Sequence, residues 1–192
     1  MRDLTPRIAQ ALRYEGPGRV YVSMCFDGSP AHEAGIREGD VIEEVGQHRI
    51  AAVDAYKSVI LGFTAGNPVR FTLNRKGQSL ETVVTPTGFP KSMVEPYAWT
   101  LLGVKARPAT KSDARKLGLA RDGGMIVSKL RPSGPAAEAG LRPGDVILEI
   151  GNIAVTSADE FSIAVAALRL KSSTVVLVQR GPYGVYVSLP LP

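Results

Sequence analysis

The chain contains one unit twice. Residues 30–46, PAHEAGIREGDVIEEVG, recur at 135–151 as PAAEAGLRPGDVILEIG, 105 residues later and without a gap, with 12 of 17 positions identical. A period this long exceeds that of a solenoid repeat, so each copy has to bury its own core. The 192 residues leave room for two small domains. Each copy needs a hydrophobic interior, and the 44% hydrophobic content supplies it.

The offset orders the elements of each copy. It aligns Thr5 with Thr110 and Leu12 with Leu117, so each copy opens on a short helix led by a threonine. TKSD at 110–113 reads as a capping box, Gly118 as a helix stop, and Pro6 as a first helical residue. Apolar strands follow at 20–24 and 125–129. Small helices come next, opened by Pro30 and Pro135 and closed by Gly35 and Gly140. REGD and RPGD are turns that launch the strands VIEEV and VILEI, with Gly144 and Asp145 in the turn and Val146, Ile147 and Ile150 as core. Longer helices are expected near 54–63 and 158–169, the second with a capping box in SADE, Ser157 to Glu160. Strands near 69–74, 80–85, 174–180 and 184–189 complete the two copies. The stretch 86–100 carries three prolines and no periodicity, so it reads as a linker before the strand-like run LLGVKA.

SGPAAEAGLRPGDVILEIGNIAV followed by a helix resembles the PDZ domains of bacterial HtrA (Deg) proteases, which place one or two such domains after a trypsin-like protease domain. The resemblance implies a mainly β fold with short helices, as two partly open β-barrel or sandwich domains in tandem. The first would span 1–86 and the second 97–192, with 87–96 between them. Most of the repeated stretch is then scaffold, and the chemistry lies elsewhere.

Such a domain binds an extended peptide as an added strand on a sheet edge and holds its carboxylate on backbone N–H groups of a glycine-containing loop. The matching loop is Thr100, Leu101, Leu102, Gly103 and Val104. The N–H groups of Leu102, Gly103 and Val104 are expected to face the carboxylate, and Val104, Lys105 and Ala106 to offer the strand edge. The alternative is that LLGV is only a buried strand. The opposite wall is implied to be Phe161, Val165 and Leu168, spaced i, i+4, i+7 on one helical face. Val165 and Leu168 with Leu102 and Val104 would pocket the last side chain. Phe161 would face an apolar residue two positions upstream, or else turn inward as core. In the first copy the same positions are Tyr56, Ile60 and Phe63. Its loop and binding strand would fall before residue 1, so either the sequence starts inside a longer protein or the first domain is naturally incomplete.

Catalysis is not expected within the chain. His32 and His48 lie in scaffold segments, His32-Glu33 is not followed by the second histidine of HExxH, and no serine sits in GxSxG or GDSGG. Cys25 is the sole cysteine, which excludes an internal disulfide and a cysteine zinc cluster. No cofactor or metal site is expected. The net charge of +5 is spread without a block of like charges, so nucleic acid is not favoured as a partner. No run of 18 apolar residues appears, and MRDLTPRIAQ is too polar for a signal sequence. Two functions remain. One is the substrate-binding and regulatory region of an envelope serine protease, concerned with protein quality control, which captures C-termini or extended apolar segments. Its further partners would be its own protease domain and oligomer neighbours, and the resemblance puts it in the periplasm or an equivalent space. The other is a stand-alone adaptor.

Overall fold

A computed structural model describes residues 1–119 and 123–191. The chain divides into two compact units, Met1–Gly88 and Phe89–Pro192. In the first, β1 (Arg2–Asp3), α1 (Pro6–Ala11), β2 (Val20–Tyr21), α2 (Pro30–Glu33), β3 (Val41–Val45) and β4 (His48–Arg49) are followed by α3 (Val53–Leu61), β5 (Val69–Arg75) and β6 (Gln78–Val84). The second opens with a 3-10 turn at Lys91–Met93 and α4 (Val94–Leu101). It continues with β7 (Val104–Pro108), α5 (Lys111–Leu117), β8 (Met125–Leu130), α6 (Pro135–Glu138), β9 (Val146–Ile150), β10 (Ile153–Ala154), α7 (Ala158–Ala167), β11 (Ser173–Arg180) and β12 (Tyr183–Pro190).

The sheets have one topology. Strand order is β1-β2-β3-β5-β6 in the first and β7-β8-β9-β11-β12 in the second, with β4 and β10 pairing β3 and β9. Every pairing is antiparallel, and among the described residues neither sheet closes into a barrel. The fold is therefore mostly β, with one core per unit. Val20, Ile36, Ile42, Val45, Phe71 and Leu73 fill the first; Leu102, Ile147, Ile150, Val165, Val176 and Val178 fill the second.

Helix ends follow their caps. Thr110 accepts from Asp113 N–H while the Asp113 carboxylate accepts from Thr110 N–H, and Gly118 ends α5 at φ 59°. Arg107 and Thr110 hold the Asp113 carboxyl well below the usual carboxylate range. The second capping box is only half formed. Ser157 accepts from Glu160 N–H, but the Glu160 carboxylate accepts instead from the N–H and hydroxyl of Thr156.

Three expectations are corrected. The stretch 86–100 is not irregular throughout, because the 3-10 turn and α4 occupy 91–101. Pro96 falls in the first turn of α4, where a missing N–H breaks no intrahelical bond. The strand expected at 20–24 is paired in the sheet only at Val20–Tyr21. Beyond it, Val22 donates to Asp40 O at 2.8 Å and accepts from Gly39 N–H at 2.9 Å, so the loop before β3 takes over. Its counterpart β8 runs on to Leu130 because β7 pairs along it. Finally, the binding strand of the first copy is partly present. Arg2 and Asp3 pair with Tyr21 and Val20, and the 105-residue offset matches them to Arg107 and Pro108.

The turn aspartates do more than turn. Asp40 is 0% exposed and takes a two-pronged contact from Arg75, Nε to Oδ1 at 2.7 Å and Nη2 to Oδ2 at 2.8 Å. Arg75 Nη2 also donates to Gly35 O, and Asp40 Oδ2 accepts from Arg37 N–H. The second unit repeats every bond with Asp145, Arg180, Gly140 and Arg142, Asp145 being 2% exposed.

Tyr14 locks the first unit in another way. Its hydroxyl donates to Glu43 at 2.9 Å and accepts from Gly18 N–H at 2.6 Å. Burial pushes this phenol up to about 12, and the Glu43 carboxylate adds to the rise.

Two measurements follow. Arg180→Gln leaves Asp145 buried without its counter-charge. That destabilises the second unit, though less than breaking a fully buried pair would, because the arginine is partly solvated. Amide exchange should rise in β9 and β11 and stay unchanged in β3 and β5. For Tyr14, a raised folded pKa means stability present below the unfolded value near 10 and lost as pH rises through about 12. In an alkaline titration, the tyrosinate absorbance step near 12 should vanish in Tyr14→Phe.

Candidate functional site

The loop at 100–104 is built as a left-handed turn between α4 and β7. Gly103 sits at φ 76°, and a Cβ there would lie 3.3 Å from the Gly134 Cα. Its carbonyl accepts from Arg131 N–H at 2.8 Å, and the Leu102 carbonyl accepts from Ala136 N–H at 2.9 Å. The loop is thus pinned to the end of β8 and to α6, within the repeated stretch.

Two of the three loop N–H groups are turned back onto α4. Leu102 N–H donates to Ala98 O at 2.9 Å and Gly103 N–H to the same oxygen at 3.1 Å. Both close the C-terminus of α4. The expected side chains share one apolar core. Leu102, Val104, Val165 and Leu168 all belong to the core cluster of the second unit, with Val165 0% and Leu168 2% exposed. Ala98 and Leu101 of α4 join that cluster. Phe161, 5% exposed, belongs to the core and also lines a cavity.

That cavity measures about 290 Å³ and lies between α4, β7 and α7. Val94, Ala98, Val104, Ala106, Met125 and Phe161 give it apolar walls. Lys105 and Ala106 are exposed and half-buried on β7, the last strand of the sheet on this side. The rim is charged. Lys91 Nζ lies 2.6 Å from Asp159 Oδ1, and Lys105 Nζ lies 2.5 Å from Glu95 Oε1. Trp99 of α4 has the ammonium groups of Lys105 and Lys129 at 5.9 and 6.0 Å from its ring.

The first unit differs. Tyr56 and Ile60 on α3 and Phe63 just beyond it are half-buried and pack against the core from its edge. His32 is on α2 beside Asp27, and His48 is exposed on β4.

The sequence reading missed α4 and the two arginine partners of the turn aspartates. The arginines carried a signal, since Arg75 and Arg180 obey the 105-residue offset.

Comparison with known proteins gives the same two halves. PDZ domain family models match residues 2–85 and residues 126–180. A probable periplasmic serine endoprotease DegP-like of Chlamydia trachomatis is 32% identical over 148 residues, covering 75% of this chain and 30% of the relative. The DegP-like relative of Halomonas elongata is 26% identical over 197 residues, covering 100% of the chain and 41% of the relative. The chain thus spans well under half the length of these relatives. Among solved structures, the HtrA3 PDZ domain bound to a phage-derived ligand aligns at TM-score 0.41 and 22% identity, covering 47% of this chain and 84% of that one. The HtrA-type protease AlgW with a decapeptide aligns at TM-score 0.42 and 20% identity, covering 79% and 54%.

Replacing Gly103 by alanine forces a side chain into the left-handed region and against the Gly134 backbone. Gly103→Ala should therefore lower the stability of the second unit by about 1–2 kcal/mol in urea unfolding.

Proposed function

The chain belongs to the PDZ-domain family, which it enters twice in tandem, and on that premise we propose that its second unit captures extended apolar segments and C-termini of other proteins. The single observation that carries this reading is the apolar cavity between the edge strand β7 and helix α7. A peptide laid along β7 would find backbone partners on its outer edge. Its alternate side chains would enter the space lined by Val104, Ala106, Met125 and Phe161. A terminal carboxylate would be received at the 101–104 loop, beside Leu102, Gly103, Val165 and Leu168. The likeness to DegP-like relatives supports a role as the substrate-binding and regulatory region of an HtrA-like serine protease outside the cytoplasm.

The test is a fluorescence titration of the whole chain. The probe is a labelled decapeptide with apolar residues at its last and third-last positions. A carboxylate held by several N–H groups makes charge-assisted bonds of about 1.5–3 kcal/mol each. Amidating the probe should then weaken binding by about tenfold or more. Ala106→Asp, which puts a charge into the apolar cavity, should weaken it by at least as much. Equal binding of the free and amidated probes, with Ala106→Asp unchanged, refutes the reading. The protease assignment is tested separately by the gene upstream of Met1, where an in-frame trypsin-like domain supports it and a stop codon replaces it with a stand-alone adaptor.

A further inference from the structure

We infer that helix α4 is a displaceable plug in the groove of the second unit, so that a C-terminal ligand binds only as the last turn of α4 lets go. The inference rests on the peptide-binding reading above and concerns how that site is regulated.

Four observations converge on it. Two of the three donors a carboxylate would use are occupied, because Leu102 and Gly103 N–H both bond Ala98 O. The side chains that would pocket the ligand's last residue are occupied as well. Val165 and Leu168 are sealed in a cluster that includes Ala98 and Leu101. Helix α4 packs on both walls of the groove, β7 and α7. It is also latched there from outside by Glu95 to Lys105, by Lys91 to Asp159, by Trp99 under Lys105 and Lys129, and by Thr100 O accepting from Arg131.

The closure is partial. Ala98 and Leu101 fill the end near Leu102, while the end near Ala158, Pro108 and Met125 stays open as the 290 Å³ cavity. An extended segment can begin to engage the open end with α4 in place. Completing the site then requires Ala98 O to leave Leu102 and Gly103. The ligand's carboxylate replaces that carbonyl as acceptor, and its last side chain replaces Leu101.

The experiment uses the full chain with the free and amidated decapeptides. Thr100→Pro removes an N–H from the last turn of α4 and drives Trp99 out of the helical region. It should tighten binding of the free peptide by about tenfold or more and leave the amidated peptide nearly unchanged. Lys91→Glu, which repels Asp159 at an exposed position and leaves the core intact, should tighten it by about twofold to fivefold. Saturating free peptide on the unmodified chain should speed amide exchange across 94–101 while slowing it across 104–106. Equal affinity of both variants and the unmodified chain, with 94–101 still protected in the complex, overturns the plug. In that case peptide binding itself still stands if amidation and Ala106→Asp weaken it. Binding by none of the three proteins, each melting cooperatively, overturns the plug and the peptide reading together.

Discussion

Each unit is organised by one buried ion pair between a turn aspartate and an arginine 35 residues further on, Asp40 with Arg75 and Asp145 with Arg180. The aspartate is fully or almost fully buried, so its charge needs compensation on the spot. A two-pronged guanidinium gives it, and the remaining bonds go to Arg37 N–H or Arg142 N–H. The same arginine reaches back to the carbonyl that ends the preceding short helix. One contact therefore ties together the small helix, the turn, the start of β3 or β9 and the end of β5 or β11. In the second unit this frame extends to the site. The segment it anchors includes Ala136, whose N–H holds the Leu102 carbonyl. The repeated stretch packs as scaffold, and the 100–104 loop is hung on it.

Much of this could be read from the residues in order. Capping chemistry is local, so Thr110 with Asp113 and Pro at the first helical position marked helix starts without tertiary information. The 105-residue offset carried strand order from one copy to the other. What stayed hidden depends on contacts between distant residues. The length of β8 comes from β7 pairing along it, whereas β2 pairs over two residues with β1 and with β3. The arginine partner of each turn aspartate lies two elements away. For α4, three prolines argued for a linker, but Pro90 precedes the helix and Pro96 falls in its first turn. An eight-residue helix has no stability of its own in water, so nothing local could announce it. Its cause is the apolar groove beneath Ala98 and Leu101.

In the second unit, Phe161, Val165 and Leu168 lie beneath α4, the helix we infer to be a displaceable plug.

A plug of this kind works by exchange of like for like. A ligand shifts a conformational balance only by its difference in affinity for the two states. Against α4, a peptide offers a similar apolar side chain in place of Leu101, which nearly cancels. The difference lies in the acceptor. Ala98 presents a neutral carbonyl to Leu102 and Gly103, whereas a chain terminus presents a carboxylate, and a charged acceptor makes hydrogen bonds about twice as strong. The released helix, too short to persist alone, gives back its conformational entropy. On the proposed plug, the balance would therefore favour free C-termini over internal segments of the same sequence. The selectivity comes from what the ligand has to displace, and it requires no residue dedicated to reading the terminus.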